Sequence, residues 1–301
     1  MDASVSVVHL WWYALSAIAV VNLGLWALSS RVFARTRDSL IASDSGRYAR
    51  HMRRWPHLLL SAGYVLGCGF RSLLPRADVQ RICVVDSWLS SVLVGRSVAT
   101  FAELCFAAQW ALLLHELSRD HEHPAGVLLA RAVFPLIVLA EICSWYAVLT
   151  TSYLGNALEQ SIWTGTVTLI ALALWPLWHK TRGSLRGFVA LSIAGSIAFV
   201  AFMCTVDVPM YLHRWLADES AGRTYFTLAQ GLHDVRTRWV VTYELSAWRE
   251  EMAWMSLYFS LAVWFSIAMT HAPRAARERR ALRAELHSSR RPASLTATAS
   301  Q

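Results

Sequence analysis

Two glutamates stand inside long apolar runs, in the near-identical contexts Ala102-Glu103-Leu104-Cys105 and Ala140-Glu141-Ile142-Cys143. On insertion scales a charged side chain at mid-bilayer costs about 2.5–3.5 kcal/mol, so carboxylates placed there mark a site by default. Arg96, Thr100 and Glu103 fall on one stripe of a helix, and Trp110 continues it. Glu141 shares its face with Ile137, Ser144, Trp145 and Val148. Carboxylates in a dry cleft act as general acids or bases, and an arginine among them binds an anionic group or balances their charge.

Asp207 and Glu251 extend this set. The spacing predicts a cleft with Glu103, Glu141 and Arg96 deep inside and Asp207, Glu244 and Glu251 nearer an outer mouth. Glu244, Glu251 and Tyr258 recur at intervals of seven, as on one side of a helix. Asp86 is placed to cap the start of the third helix.

Metal chemistry fits this pattern poorly. Carboxylate-bridged di-iron bundles use Glu-x-x-His, but Phe106, Ser144 and Trp254 occupy the third position after Glu103, Glu141 and Glu251. Cys105 and Cys143 lie two residues from their glutamates and so point away from them. The expectation is a site without metal, and no motif names a cofactor. His57, His115, His179 and His271 fall near the inner ends of spans, where a metal or haem is an alternative to interfacial packing. The histidine spacings of membrane desaturases are missing.

These residues need a scaffold, and the composition supplies one. The chain has 301 residues, 55% hydrophobic and 16% charged, with fifteen tryptophans. That charged fraction is well below the ~25% of a typical soluble domain. Apolar runs cover roughly 6–29, 57–74, 88–117, 126–151, 160–178, 187–206 and 250–271. The expected fold is an all-α polytopic membrane bundle of about seven transmembrane helices, the second of them marginal. Residues 1–273 form the bundle and 274–301 a basic, partly disordered tail. Segment 207–249, rich in aromatics, is expected to cap the outer face with interfacial helices.

The net charge is +8, and Lys180 is the only lysine among 28 basic residues. With the N-terminus outside, eighteen basic residues fall in inner segments and seven in outer ones. This split favours an N-out, C-in protein of the cell membrane. Arginines clustered between apolar runs fit membrane lipid as a partner and exclude nucleic acid.

Gly63 and Gly67 form a G-x-x-x-G that suits close helix packing inside the bundle. Phosphate loops, dinucleotide fingerprints and nucleophile elbows are absent, and no membrane lysine is available for retinal. The leading reading is a membrane-embedded enzyme using acid/base chemistry on a lipid-like or small amphiphilic ligand. The alternatives are an ion- or proton-coupled transporter and a seven-helix receptor or assembly factor.

Overall fold

The computed structural model describes residues 3–41, 48 and 51–272. Among them the chain is an all-α bundle of eight helices. These are α1 (Ala3–Ile41), α2 (Trp55–Leu73), α3 (Val92–Asp120), α4 (Pro124–Thr150), α5 (Tyr153–Lys180), α6 (Ser184–Ser220), α7 (Leu228–Thr237) and α8 (Leu245–Thr270). Six of them (α1, α3, α4, α5, α6 and α8) are long and apolar enough to cross a membrane. The protein is therefore a multi-pass membrane protein.

The expected count of seven spans is not confirmed, since six helices qualify by length and composition. Run 57–74 does form a helix, α2, but it is too polar to count with the six. Its position accounts for its composition: α2 packs between α1, α3 and α8 and buries His57, Ser61, Arg71 and Ser72. Gly63 and Gly67 set its approach to α3, where an added Cβ would come 2.6 Å from Cys105 Sγ and from Ala102 Cβ respectively. The G-x-x-x-G is thus an internal seam.

The long helices alternate in direction. At one end Trp12 Nε1 donates to the carbonyl of Leu73, joining the start of α1 to the end of α2. At the other end Ser29 Oγ and His271 Nε2 lie 2.5 Å apart, joining α1 to the end of α8. That second end is packed with apolar side chains: Leu113, Leu114, Leu174, Leu177 and Val189 are all buried together.

The first end carries a cap. Residues after Pro75 form a short hairpin of β1 (Arg76–Ala77) and β2 (Ile82–Cys83), antiparallel, with Arg76 opposite Cys83. β3 (Val240–Val241) pairs with β2 in parallel. Arg81, at φ 60, closes the hairpin. Its guanidinium is fully buried and donates to Asp234 of α7, to the carbonyl of Asp78 and to the carbonyl of Val148 at the end of α4.

Several boundaries differ from the sequence reading. α3 is capped by Ser91, whose side chain accepts from Val94 N, whereas Asp86 accepts from Trp239 Nε1 in the cap. Asp207 does not end a helix: α6 runs on to Ser220 through a widened turn at Met203–Asp207. Segment 207–249 is thus partly a continuation of α6, with α7 and β3 as the cap proper. α5 starts at Tyr153, well before the apolar run at 160. The basic tail 274–301 lies outside the described residues.

Candidate functional site

Small residues bring α3, α4 and α5 close together beneath the cap. Ala99, Ala140 and Ala147 are all buried. Gly155 lies so near α4 that a Cβ there would come 2.7 Å from the backbone oxygen of Cys143. This crossing sets the first turns of α5, with Asn156 and Glu159, beside Glu141.

The result is a charged cluster centred on Arg96. Its Nη2 lies 2.6 Å from Glu141 Oε2, 3.4 Å from Glu103 Oε2 and 3.4 Å from Glu159 Oε1. One oxygen of each carboxylate lies within 4.8 Å of the others. Thr100 Oγ1 donates to Glu141 Oε2 at 2.6 Å and accepts from Trp145 Nε1 at 3.1 Å. Asn156 Nδ2 donates to Glu159 Oε2 at 3.3 Å. Three carboxylates therefore share one guanidinium, an excess of two negative charges that protons and a ligand's positive group together would offset.

Arg96, Glu103 and Glu159 line a cavity of about 400 Å³, and Asp207 and Glu251 line it too. Glu141 does not; it sits behind Arg96. Glu251 is held by Gln80 Nε2 at 3.1 Å and Trp254 Nε1 at 2.7 Å, with Arg214 Nη1 at 3.7 Å. Four of the five expected site residues thus face one space, and the fifth anchors it. Glu244 does not join them: it precedes α8 as an exposed cap residue.

Towards the cap, Arg71, Arg76, Asp78 and Gln80 complete the polar wall. Asp78 accepts from Arg76 Nε at 2.6 Å and from Arg71 Nη1 at 3.4 Å. Burial alone would raise its pKa, but Arg71 and Arg76 outweigh it and hold Asp78 well below the usual carboxylate range. Arg76 lies across Gly95, which has no side chain to obstruct it, and donates to the Ser90 carbonyl. Burial lowers the pKa of Arg76, with Asp78 opposing the shift.

Sequence reasoning missed Arg71, Arg76, Asp78, Gln80, Asn156 and Glu159. Glu159 was the one with a usable signal, since it stands one residue before an apolar run, as a continuing helix would place it.

Away from the charges the cavity turns apolar, between Phe106, Trp110, Trp163 and Ile170 on one side and Phe199, Phe202 and Phe265 on the other. α6 packs along α5, and α8 along α1 and α2; the two face each other across the cavity and meet at Gly195 and Phe265. Gly195, Ala198, Leu257 and Leu261 line the cavity and are exposed rather than buried. The apolar end is therefore not sealed where α6 and α8 meet.

The four histidines expected near the inner ends of spans do not gather. His57 is buried with Nε2 3.6 Å from Glu116, His179 lies against Trp178, His271 meets Ser29, and His115 is half-buried on α3. Among the described residues, Glu103, Glu141 and Glu159 are the one group of three or more side chains spaced to ligate a metal, and Arg96 Nη2 contacts all three. All five cysteines are free, so Cys83 and Cys204 form no disulfide. No protein-family model, no curated protein and no solved structure matches this chain.

Proposed function

We propose that this protein is a membrane-embedded enzyme that applies acid/base chemistry to an amphiphile, with the capped end on the outer side of the cell membrane. The observation that carries this reading is the continuity of one cavity from a charged compartment to an apolar channel walled by α6 and α8, whose exposed lining residues support entry from lipid. An amphiphile fits such a space with its polar head among the charges and its chain along the aromatic wall.

Glu103 and Glu159 face the cavity and take the role of proton donor and acceptor. Glu141, bound by Arg96 and Thr100, positions the arginine. Arg96 steadies negative charge on the reacting group, and Asp207 and Glu251 orient the polar end.

The test is turnover by the purified protein in vesicles of native lipid extract, with no ion gradient, followed by mass spectrometry of the lipids. Glu103→Gln is expected to lower turnover about a hundredfold or more with helical content retained. Full turnover in both Glu103→Gln and Glu159→Gln would sink the enzyme reading.

A second reading, a proton-coupled transporter, is supported by the triad itself, because three carboxylates around one arginine suit a proton relay. It requires an unaltered substrate and strict dependence on a pH gradient in the same vesicles.

A further inference from the structure

The charged end of the cavity has two sides of opposite sign. On the cap side, Arg71 and Arg76 face the single carboxylate of Asp78, leaving one positive charge in excess. Both arginines are buried, 5% and 1% exposed, and Arg71 Nε and Arg76 Nη2 make no hydrogen bond. On the α4–α5 side, three carboxylates share Arg96. There the buried acceptors Glu141 Oε1 and Asn156 Oδ1 have no partner, and Asn156 is only 9% exposed and lines the cavity.

The two sides adjoin. Arg71 Nη1 donates to the carbonyl of Gly95 at 3.2 Å and Arg76 lies across the same glycine, one residue before Arg96. Buried polar atoms left without partners are uncommon and call for a ligand that supplies them. Here the cap side offers only unmet donors, on Arg71 and Arg76, whereas the unmet acceptors Glu141 Oε1 and Asn156 Oδ1 lie on the other side, together with Arg96 Nε.

We propose that the cavity binds a zwitterionic phospholipid, with its phosphate on Arg71 and Arg76 and a primary ammonium on Glu103, Glu159 and Asn156. This rests on the amphiphile reading above and names its substrate class. Guanidinium groups match phosphate oxygens in geometry and charge. A purely anionic head would satisfy the arginines but meet the carboxylates. A quaternary ammonium carries no N–H to donate to Glu103, Glu159 or Asn156 and would leave the Asn156 Oδ1 acceptor unmet. The apolar channel distinguishes a lipid from a free phosphoamine, because only a lipid fills both halves.

Native mass spectrometry of the full-length protein tests this directly. Detergent-purified protein is exposed to equal amounts of phosphatidylethanolamine, phosphatidylcholine and phosphatidylglycerol with identical chains. The ethanolamine lipid is expected as a one-to-one adduct enriched about tenfold over the other two. Arg76→Gln should lower that adduct about tenfold, and Glu159→Gln should abolish the preference over phosphatidylglycerol. If Arg76→Gln fails to fold, as read by circular dichroism, the Glu159→Gln result decides.

Equal or greater retention of the choline or glycerol lipid overturns the proposal while leaving the amphiphile reading intact. Absence of any one-to-one lipid adduct overturns both. Displacement of the lipid by an equal concentration of soluble phosphoethanolamine would assign the site to a free phosphoamine and overturn the lipid half.

Discussion

Arg81 and Arg96 are both buried arginines at the capped end, yet they are used in opposite ways. Arg81 is sealed: Nε, Nη1 and Nη2 each donate, at 2.6, 2.5 and 2.6 Å, and it does not border the cavity. Arg96 faces the cavity, crowds three carboxylates onto one nitrogen and leaves Nε without a partner. A fully paired buried charge fixes structure, and an under-paired one beside a void waits for a ligand. The difference separates cap from site.

The sharpest way to break this comparison is to remove each arginine. Arg81→Ala leaves Asp234 without its buried partner and unties the hairpin from α4 and α7, so a loss of about 3–5 kcal/mol in unfolding free energy is expected. For Arg96 the informative variant is Arg96→Gln with Glu141→Gln, which removes a cation and a carboxylate together. It should lose lipid turnover while costing less stability than Arg81→Ala. Thermal unfolding and vesicle turnover measured on both would break the comparison if the two variants ranked the other way.

Asp78 stands between the two regions, and its pH response shows which one it serves. The Arg71 and Arg76 guanidiniums hold its folded pKa below that of the unfolded chain. Its contribution to stability is therefore fully present above the unfolded value of about 3.9, and is lost as pH falls towards the folded one. Asp78→Asn should lower stability at neutral pH and flatten the loss in acid. An acid limb as steep as the wild type would show that other carboxylates set it. The measurement is the unfolding midpoint from neutral to strongly acidic pH.

How far these features could be read in advance follows from where their signals lie. Glu103, Glu141 and Arg96 were legible because helical periodicity and matched depth on antiparallel helices are local properties. Asp207 was found, but as a helix end, because Pro209 follows it; the widened turn at Met203–Asp207 lets α6 continue past that proline. Glu159 was hidden because Asn156 and Glu159 dilute the hydropathy of the first turns of α5. Arg76 and Asp78 look like solvated loop charges, and Arg71 like the basic end of an apolar run. They meet over the start of α3, where Arg71 donates to the Gly95 carbonyl and Arg76 lies across the same glycine, contacts with no local signature.

The smallest effect is expected at Thr100, which joins the site to the packed helices behind it. Its hydroxyl accepts from Trp145 Nε1 and donates to Glu141 Oε2. Thr100→Val keeps the shape and removes both bonds. Glu141 Oε2 still has Arg96 at 2.6 Å, so the main loss is the partner of a half-buried indole. A cost of about 1 kcal/mol is expected, since a buried donor is left unmet but no charge is stranded. If Glu141 acts only by positioning Arg96, turnover should fall only slightly, because Arg96 remains to hold it. A loss of turnover as large as that of Glu103→Gln would instead place Glu141 in the proton path, and the anchoring role drawn here from its place behind Arg96 would be wrong.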